Sequence, residues 1–435
     1  MCLRLTLFLF LLGCFHAAIG QNYKAINVEV VPDHPDWIYQ IGETVKFKVR
    51  VLKFGIPLPG ASINYEIGPE LREATIKQSD VVLKTGETIL EASFPEAGFL
   101  TCTVTTTVEG EQYKEYATVG FEPFKLIPFT KEPDDFDAFW QEEIAEMRAN
   151  PLTFKTTLMP EAGTARSNVY EVEFSGIYPG AHYYAILTIP KKEGKYPVVL
   201  MLPGAGVWPE FGANEDFFGE KGVVIIDFRI HGIPLTLDPK IYEQLRRSAL
   251  SRYWNYELRS RENYYMKKAY LGCIRAIDLA YQLPEFDGEN LVVTGGSQGG
   301  ALTIVTAGLD ERVDAILVYY PAFADLTADV YGNRTGGWPR PFKPENQSLD
   351  GQIIEEALEV SAYYDVVNFA RRIQCEGRYS WGFRDLATPP SSTFATYNVI
   401  TAPKTLQYYP SMGHHAFPEA KKSGEQYIIN FLNTN

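Results

Sequence analysis

The sequence predicts an α/β fold with a mostly parallel central sheet, preceded by a small all-β sandwich. Three observations carry this expectation. Residues 22–120 alternate apolar and polar positions between closely spaced turn residues. From about residue 135 the strand-like segments become near-continuous apolar runs separated by helical stretches. One of those runs, in NLVVTGGSQGGALT (Asn290–Thr303), passes through Gly-x-Ser-x-Gly into an apolar helix.

The chain has 435 residues, with room for more than one core. It opens with MCLRLTLFLFLLGCFHAAIG, a segment with an early Arg4, an apolar stretch to Phe15 and small residues before Gln21. Residues 1–20 therefore read as a secretory signal peptide, too short to span a bilayer as a helix. Lipid attachment at Cys14 is disfavoured because Leu12 stands where a smaller residue is usual. No later run is long and apolar enough to be a transmembrane segment. The expected location is secreted or periplasmic.

Removal of the leader leaves Cys102, Cys273 and Cys375, an odd and widely spaced set that is neither a disulfide framework nor a metal motif. The formal net charge of -14 and the lack of a basic run argue against a nucleic-acid partner.

Within 21–120 the segments INVEVV, TVKFKVRVL, SINYEI, TILEASF, LTCTVTTTV and YKEYATVGF read as short strands. Their spacing is that of an immunoglobulin-like β-sandwich. Three prolines and mixed charge mark 121–136 as a linker. A helix is expected from about Asp135, opening a second domain at 137–435. Its strands are PVVLML, GVVIIDF, LVVTG and AILVYY, and runs of this kind are buried on both faces of a parallel sheet. The stretch YYMKKAYLGCIRAIDLAYQL repeats apolar residues at three- and four-residue steps, as a buried helix does.

The serine of Gly-Gly-Ser-Gln-Gly is the candidate nucleophile. Between a strand and a helix, Ser297 must occupy a sharp turn, and Gly295 and Gly299 let the neighbouring backbone pass close. The following amide, that of Gln298, then faces a reacting oxyanion. A serine hydroxyl needs a base. The sequence holds six histidines, and only His414 and His415 follow Ser297, as the Ser, Asp, His order of α/β-hydrolases requires. Both lie in SMGHHAF, after the strand TLQYYP. Directly after Gly413, His414 is the expected base, and His415 points elsewhere.

The acid should end a strand between the two. Asp385, in CEGRYSWGFRDLATPP, follows an aromatic-rich strand and precedes two prolines. Asp325, Asp329, Asp350 and Asp365 compete, the last expected to cap a helix. A second oxyanion donor should come from LPGAGVW, after the strand PVVLM, with the amide of Ala205 favoured.

With these residues placed, 125–435 resembles the acetyl xylan esterase and cephalosporin C deacetylase family, carbohydrate esterase family seven. The segments PDDFDAFW, IRAIDLAYQLPEFDGENLVVTGGSQGG, SAYYDVVNFARRI, DLATPPSSTFATYN and YYPSMGHH carry the resemblance in order. It implies Ser297 as nucleophile, Asp385 as acid, His414 as base, and the amides of Gln298 and Ala205 as oxyanion donors. It implies an acetylated carbohydrate as substrate and no cofactor or metal. Members of the family often form closed homo-oligomers, and an added sandwich could block or redirect that packing.

Three departures stand out. Ala205 occupies a position that is usually Tyr. DFRIHGIP keeps Arg229 but places Ile230 and His231 where the family has Gly-Gln. His415 stands where it has Glu. Alternatives to a secreted deacetylase are an α/β-hydrolase of other specificity, such as a peptidase or longer-chain esterase, and a non-catalytic carbohydrate-binding relative. Every candidate group lies after Pro203, so the sandwich is expected to be dispensable for the chemistry.

Overall fold

Strand alternation and continuous burial sort the chain into two kinds of sheet. The computed structural model describes residues 25–209, 218, 221–332, 334–343 and 355–434. The signal peptide read from residues 1–20 lies outside the described residues, as does Asp350.

The N-terminal strands form two facing sheets. One is built on Thr44–Lys53, paired antiparallel with Ile26–Pro32 on one side and Glu87–Ser93 on the other. The second centres on Gly98–Val108, paired with Ala61–Pro69 and Glu111–Phe121. Val45, Phe47, Val49 and Val51 are fully buried while the residues between them face outward. This period of two is what one buried face demands of a strand. The strand Ile76–Leu83 carries no such signal: its residues are mostly exposed, and pairing with Ala61–Pro69 decides its conformation.

The sheet of the C-terminal region has nine strands. From edge to edge these are Phe154–Leu158, Ser167–Ser175, His182–Pro190, Val224–Arg229, Tyr196–Leu202, Phe286–Gly296, Ala315–Tyr319, Glu376–Gly382 and Lys404–Tyr409. The first three junctions are antiparallel and the remaining five parallel. Four of the six strands joined in parallel, Val224–Arg229, Tyr196–Leu202, Phe286–Gly296 and Ala315–Tyr319, contain the continuous apolar runs, because helices cover both faces there. Tyr265–Ala280 and Gln298–Leu309 are buried over most of their length, the second packing against its own strand. The order reverses at Tyr196–Leu202, and in open α/β sheets the crevice at the carboxyl ends of strands near such a point takes ligands.

The segment from Glu122 to Asp135 is packed. Leu126 and Thr130 are buried. The Asn398 side chain donates to the carbonyls of Pro123 (3.0 Å) and Leu126 (2.9 Å). Thr130 Oγ1 donates to Asp365 at 2.6 Å, and the Asp325 carboxylate accepts from the amides of Phe129 and Thr130.

Phe99 joins the two sheet systems. It leaves the sandwich strand Gly98–Val108 and enters the core of the nine-stranded sheet, with ring centroids 5.2 Å from Phe383 and 5.5 Å from Phe394. Truncating a buried aromatic typically costs about 3–5 kcal/mol. Phe99→Ala is expected to lower the thermal midpoint by several degrees, and a scanning-calorimetry midpoint within a degree of the parent would show that the junction contributes little.

Candidate active site

The backbone at Ser297 sets the site. This residue joins the strand Phe286–Gly296 to the helix Gln298–Leu309 with φ 57° and ψ -122°, a conformation that costs a side-chain-bearing residue on the order of 1–3 kcal/mol. The turn closes only because its neighbours lack side chains. A Cβ on Gly295 would lie 2.5 Å from the backbone of Gly299, and one on Gly299 would lie 2.3 Å from the Leu202 carbonyl oxygen. The Ser297 amide donates to Tyr319 O at 3.1 Å, and its carbonyl accepts from the amides of Ala301 (3.1 Å) and Ala322 (3.0 Å).

His414 and Asp385 arrive from two further strand ends. His414 Nε2 lies 2.9 Å from Ser297 Oγ. On its other side Nδ1 lies 2.8 Å from Asp385 Oδ2 and 3.1 Å from Oδ1. With the carboxylate as acceptor, Nδ1 carries the proton and Nε2 is left to accept from the serine hydroxyl. Asp385 is only 1% exposed. Its buried charge is met locally: Oδ1 accepts from the amides of Ala387 (2.8 Å) and Thr388 (2.9 Å), and Oδ2 from Thr388 Oγ1 (2.8 Å). The Tyr320 ring packs against His414 at 4.9 Å. The Arg384 amide donates to Met412 O at 3.0 Å, tying the loop of the acid to the loop of the histidine.

His415 turns away. Its amide donates to Gly413 O at 2.8 Å and its ring meets the edge of Phe417 at 5.3 Å. The competing acids are engaged elsewhere. Asp325 holds Phe129, Thr130 and Arg334. Asp329 accepts from the Gly336 amide. Asp365 caps the helix Val366–Ala370, accepting from Val367 N.

Gln298 follows the serine directly, and Ala205 lies in a loop that runs beside the elbow. Among the described residues neither backbone amide donates to a protein acceptor. The loop holding Ala205 follows the strand Tyr196–Leu202 and runs beside the elbow: a Cβ on Gly204 would reach within 4.0 Å of Gly296 O.

The model of the acetyl xylan esterase (AXE1) family matches residues 124–433. The chain belongs to the acetyl xylan esterase family.

The esterase is 37% identical over 412 residues to the acetyl esterase Axe7A of Xylanibacter ruminicola, covering 93% of this chain and 91% of that protein. Among solved structures it resembles the acetyl xylan esterase of Paenibacillus sp. R4, with 25% identity and a TM-score of 0.58 over 71% of this chain and 98% of that one. Acetyl xylan esterase 1 from Thermoanaerobacterium sp. shares the fold, with 23% identity and a TM-score of 0.57 over 71% and 97% of the two chains. The esterase is thus a carboxylic ester hydrolase on an α/β-hydrolase fold.

In the sequence His231 precedes Ser297 and departs from the family pattern, and the structure gives it a place. Its Nε2 donates to Gly206 O at 2.8 Å, leaving Nδ1 to accept from the Tyr265 hydroxyl at 2.7 Å. The Tyr253 hydroxyl donates to the Gln298 side chain and accepts from the Gly206 amide at 3.4 Å. One hydrogen-bonded network therefore ties the loop of Ala205 to the residue after the serine. The available signal was position: His231 follows the strand Val224–Arg229, adjacent in the sheet to the strand that leads into that loop.

Burial lowers the His231 pKa to about 4, and the Gly206 carbonyl opposes that shift only in part. The folded group binds its proton less readily than the unfolded one near 6.5, so its contribution favours unfolding as pH falls from about 6.5 towards 4. At pH 5 the penalty amounts to roughly 1–2 kcal/mol. His231→Gln should therefore lose less thermal stability than the parent between pH 7 and pH 5. Equal losses in the two proteins would show that His231 titrates normally.

Proposed function

We propose that this esterase is exported and removes acetyl groups from acetylated sugars or xylan-derived oligosaccharides through a Ser-His-Asp acyl-enzyme mechanism. The observation that carries the mechanism is the continuous chain from Ser297 Oγ through His414 to Asp385, at 2.9 and 2.8 Å. The acetylated carbohydrate follows from the family and from the acetyl esterase relative. Export rests on the apolar leader at residues 1–20, and the catalytic unit is the domain 137–435.

In this mechanism Ser297 Oγ attacks the acetyl carbonyl while His414 Nε2 takes its proton. Asp385 holds the imidazole in the tautomer that accepts at Nε2 and stabilises the imidazolium that forms. The oxyanion of the tetrahedral intermediate is bound by the amides of Gln298 and Ala205, a kind of interaction worth roughly 2.7–4 kcal/mol per donor in comparable sites. His414 then returns the proton to the departing sugar oxygen. A water activated by the same imidazole clears the acetyl-enzyme and regenerates the serine.

Ser297→Ala should remain folded by circular dichroism, release almost no acetate from acetylated xylan, and resist labelling by a fluorophosphonate. A folded variant that still hydrolyses and still labels would remove Ser297 as the nucleophile.

The paired histidines give a sharper comparison. General-base catalysis contributes about 10²–10⁴-fold, so His414→Ala should lower kcat at least roughly a hundredfold with little change in KM. His415→Ala, whose ring rests on Phe417, should cost about tenfold or less. Both are read on one acetyl ester, and the reverse order of losses would make His415 the base.

A further inference from the structure

The sandwich does more than sit beside the catalytic sheet: it grips the loop that carries Asp385 on both sides of that residue. On the near side the Tyr116 hydroxyl donates to Arg384 O at 2.9 Å. The Arg384 guanidinium ion-pairs with Glu115 and lies over the Tyr116 ring, 4.4 Å from its centroid. Arg384 is the residue immediately before the acid. Its amide is already committed to Met412 O, two residues before His414, so its peptide groups are held by the histidine loop on one side and the sandwich on the other.

On the far side stands Glu70, from the sandwich strand Ala61–Pro69 and its following turn, only 5% exposed. Its Oε2 accepts from the Ser391 amide at 3.3 Å, in the first turn of the helix Pro390–Asn398. Its own carbonyl accepts from Thr335 Oγ1 at 3.3 Å. Burial is the main cause that raises the Glu70 pKa to about 8, with the charge of Asp385 adding to it. The segment from Asp385 to Ser391 is therefore bracketed by sandwich side chains at both ends, Tyr116 and Glu115 before it and Glu70 after it, and Phe99 packs against the flanking Phe383 and Phe394.

We propose that the β-sandwich is a positioning element for catalysis, in which Tyr116 and Glu115 hold Arg384, and Glu70 holds the turn after Asp385, so that the carboxylate meets His414 Nδ1. None of the three touches the reacting atoms. They act through Asp385, and the inference rests on reading Asp385 as the acid of the esterase. The physical reason is geometric. An imidazole is oriented only if its partner carboxylate is fixed, and misplacement by about 1 Å in such a constellation can cost about a hundredfold in rate. The loop's own hydrogen bonds, from Ala387 and Thr388, fix the carboxylate relative to its loop. They do not fix the loop relative to the sheet: the Arg384 amide on Met412 O and the Arg340 guanidinium on the carbonyls of Leu386 and Ala387 (3.2 Å to the latter) tie it from within its own domain, and the sandwich contacts add anchorage at the two ends that these leave.

The test uses the full-length esterase and the double variant Tyr116→Phe/Glu115→Gln, which removes one hydroxyl and one charge while keeping the volume of both side chains. Arg72→Ala serves as the interface control: Arg72 also leaves the sandwich, but its guanidinium donates to Gly332 O at 3.2 Å and to Arg334 O, away from the acid loop. Glu70→Gln, which keeps an oxygen for the Ser391 amide, is the conservative partner of Glu70→Ala. Asp385→Asn is measured in parallel.

The double variant is expected to lose about tenfold in kcat on an acetyl ester, with KM within twofold and fluorophosphonate labelling slowed in proportion. Arg72→Ala should keep kcat within twofold even where its thermal midpoint falls as far. Glu70→Ala should lose kcat and Glu70→Gln should recover most of it. A double variant with parental kcat, or kcat losses that follow the thermal midpoint equally in Arg72→Ala, would overturn the positioning role. If Asp385→Asn keeps parental activity, the acid assignment itself is wrong and the proposal falls with it. If Asp385→Asn is inactive while the double variant is not, the mechanism stands and only the sandwich's role is lost.

Discussion

The close approach of two backbones at the elbow is the constraint on which the site depends. Ser297 can hold φ 57° because the strand before it and the helix after it converge where no Cβ intervenes. The helix Gln298–Leu309 must come within touching distance of the Leu202 carbonyl, and only glycine at 299 allows it. That approach also brings the loop after Leu202 alongside the elbow, so the same packing that strains Ser297 places the loop of Ala205 beside it. The strain is supported by a core in which the central parts of three adjacent strands, residues 198–200, 291–294 and 315–318, are buried.

Around this fixed point the acid and the histidine are held by short backbone connections. Asp385 is buried, and an isolated buried carboxylate would be costly. Three donors from Ala387 and Thr388, together with the His414 ring, satisfy it. A carboxylate solvated by its own loop is ready before substrate arrives, and this kind of preorganisation is how fixed dipoles contribute to rate. His414 is more open, its side chain 34% exposed, which suits the proton exchange with a leaving group and with water that the proposed mechanism asks of it.

His231 illustrates how a departure from a family pattern can keep a physical role. A neutral imidazole offers one donor and one acceptor, and here the donor goes to Gly206 and the acceptor to Tyr265. Burial keeps the ring neutral, which is the state that satisfies both partners. The Tyr253 hydroxyl extends the same network to the Gln298 side chain, so Gln298 and the loop of Ala205 belong to one connected framework.

Much of this was legible in the chain. The continuous apolar runs gave the parallel strands, because burial on both faces leaves no polar alternation. Gly-x-Ser-x-Gly between strand and helix gave the elbow, because few residues can serve at so tight a turn. The scarcity of histidine after Ser297 narrows the ring that could meet it to a pair, and strand-end position singles out Asp385, the carboxylate that contacts His414. The exposed strands Phe154–Leu158 and Ile76–Leu83 carried no burial pattern, so only their pairing partners defined them. What the tertiary structure alone decided were the contacts between segments far apart in sequence. Phe99 reads as one more alternating residue of a sandwich strand, yet it packs into the core of the nine-stranded sheet. Tyr116 and Glu70 have no local signature, because their roles are set by what lies across the interface rather than beside them in the chain. Periodicity and turn chemistry report which face of an element is buried, whereas the identity of the surface that buries it depends on how the elements pack in three dimensions.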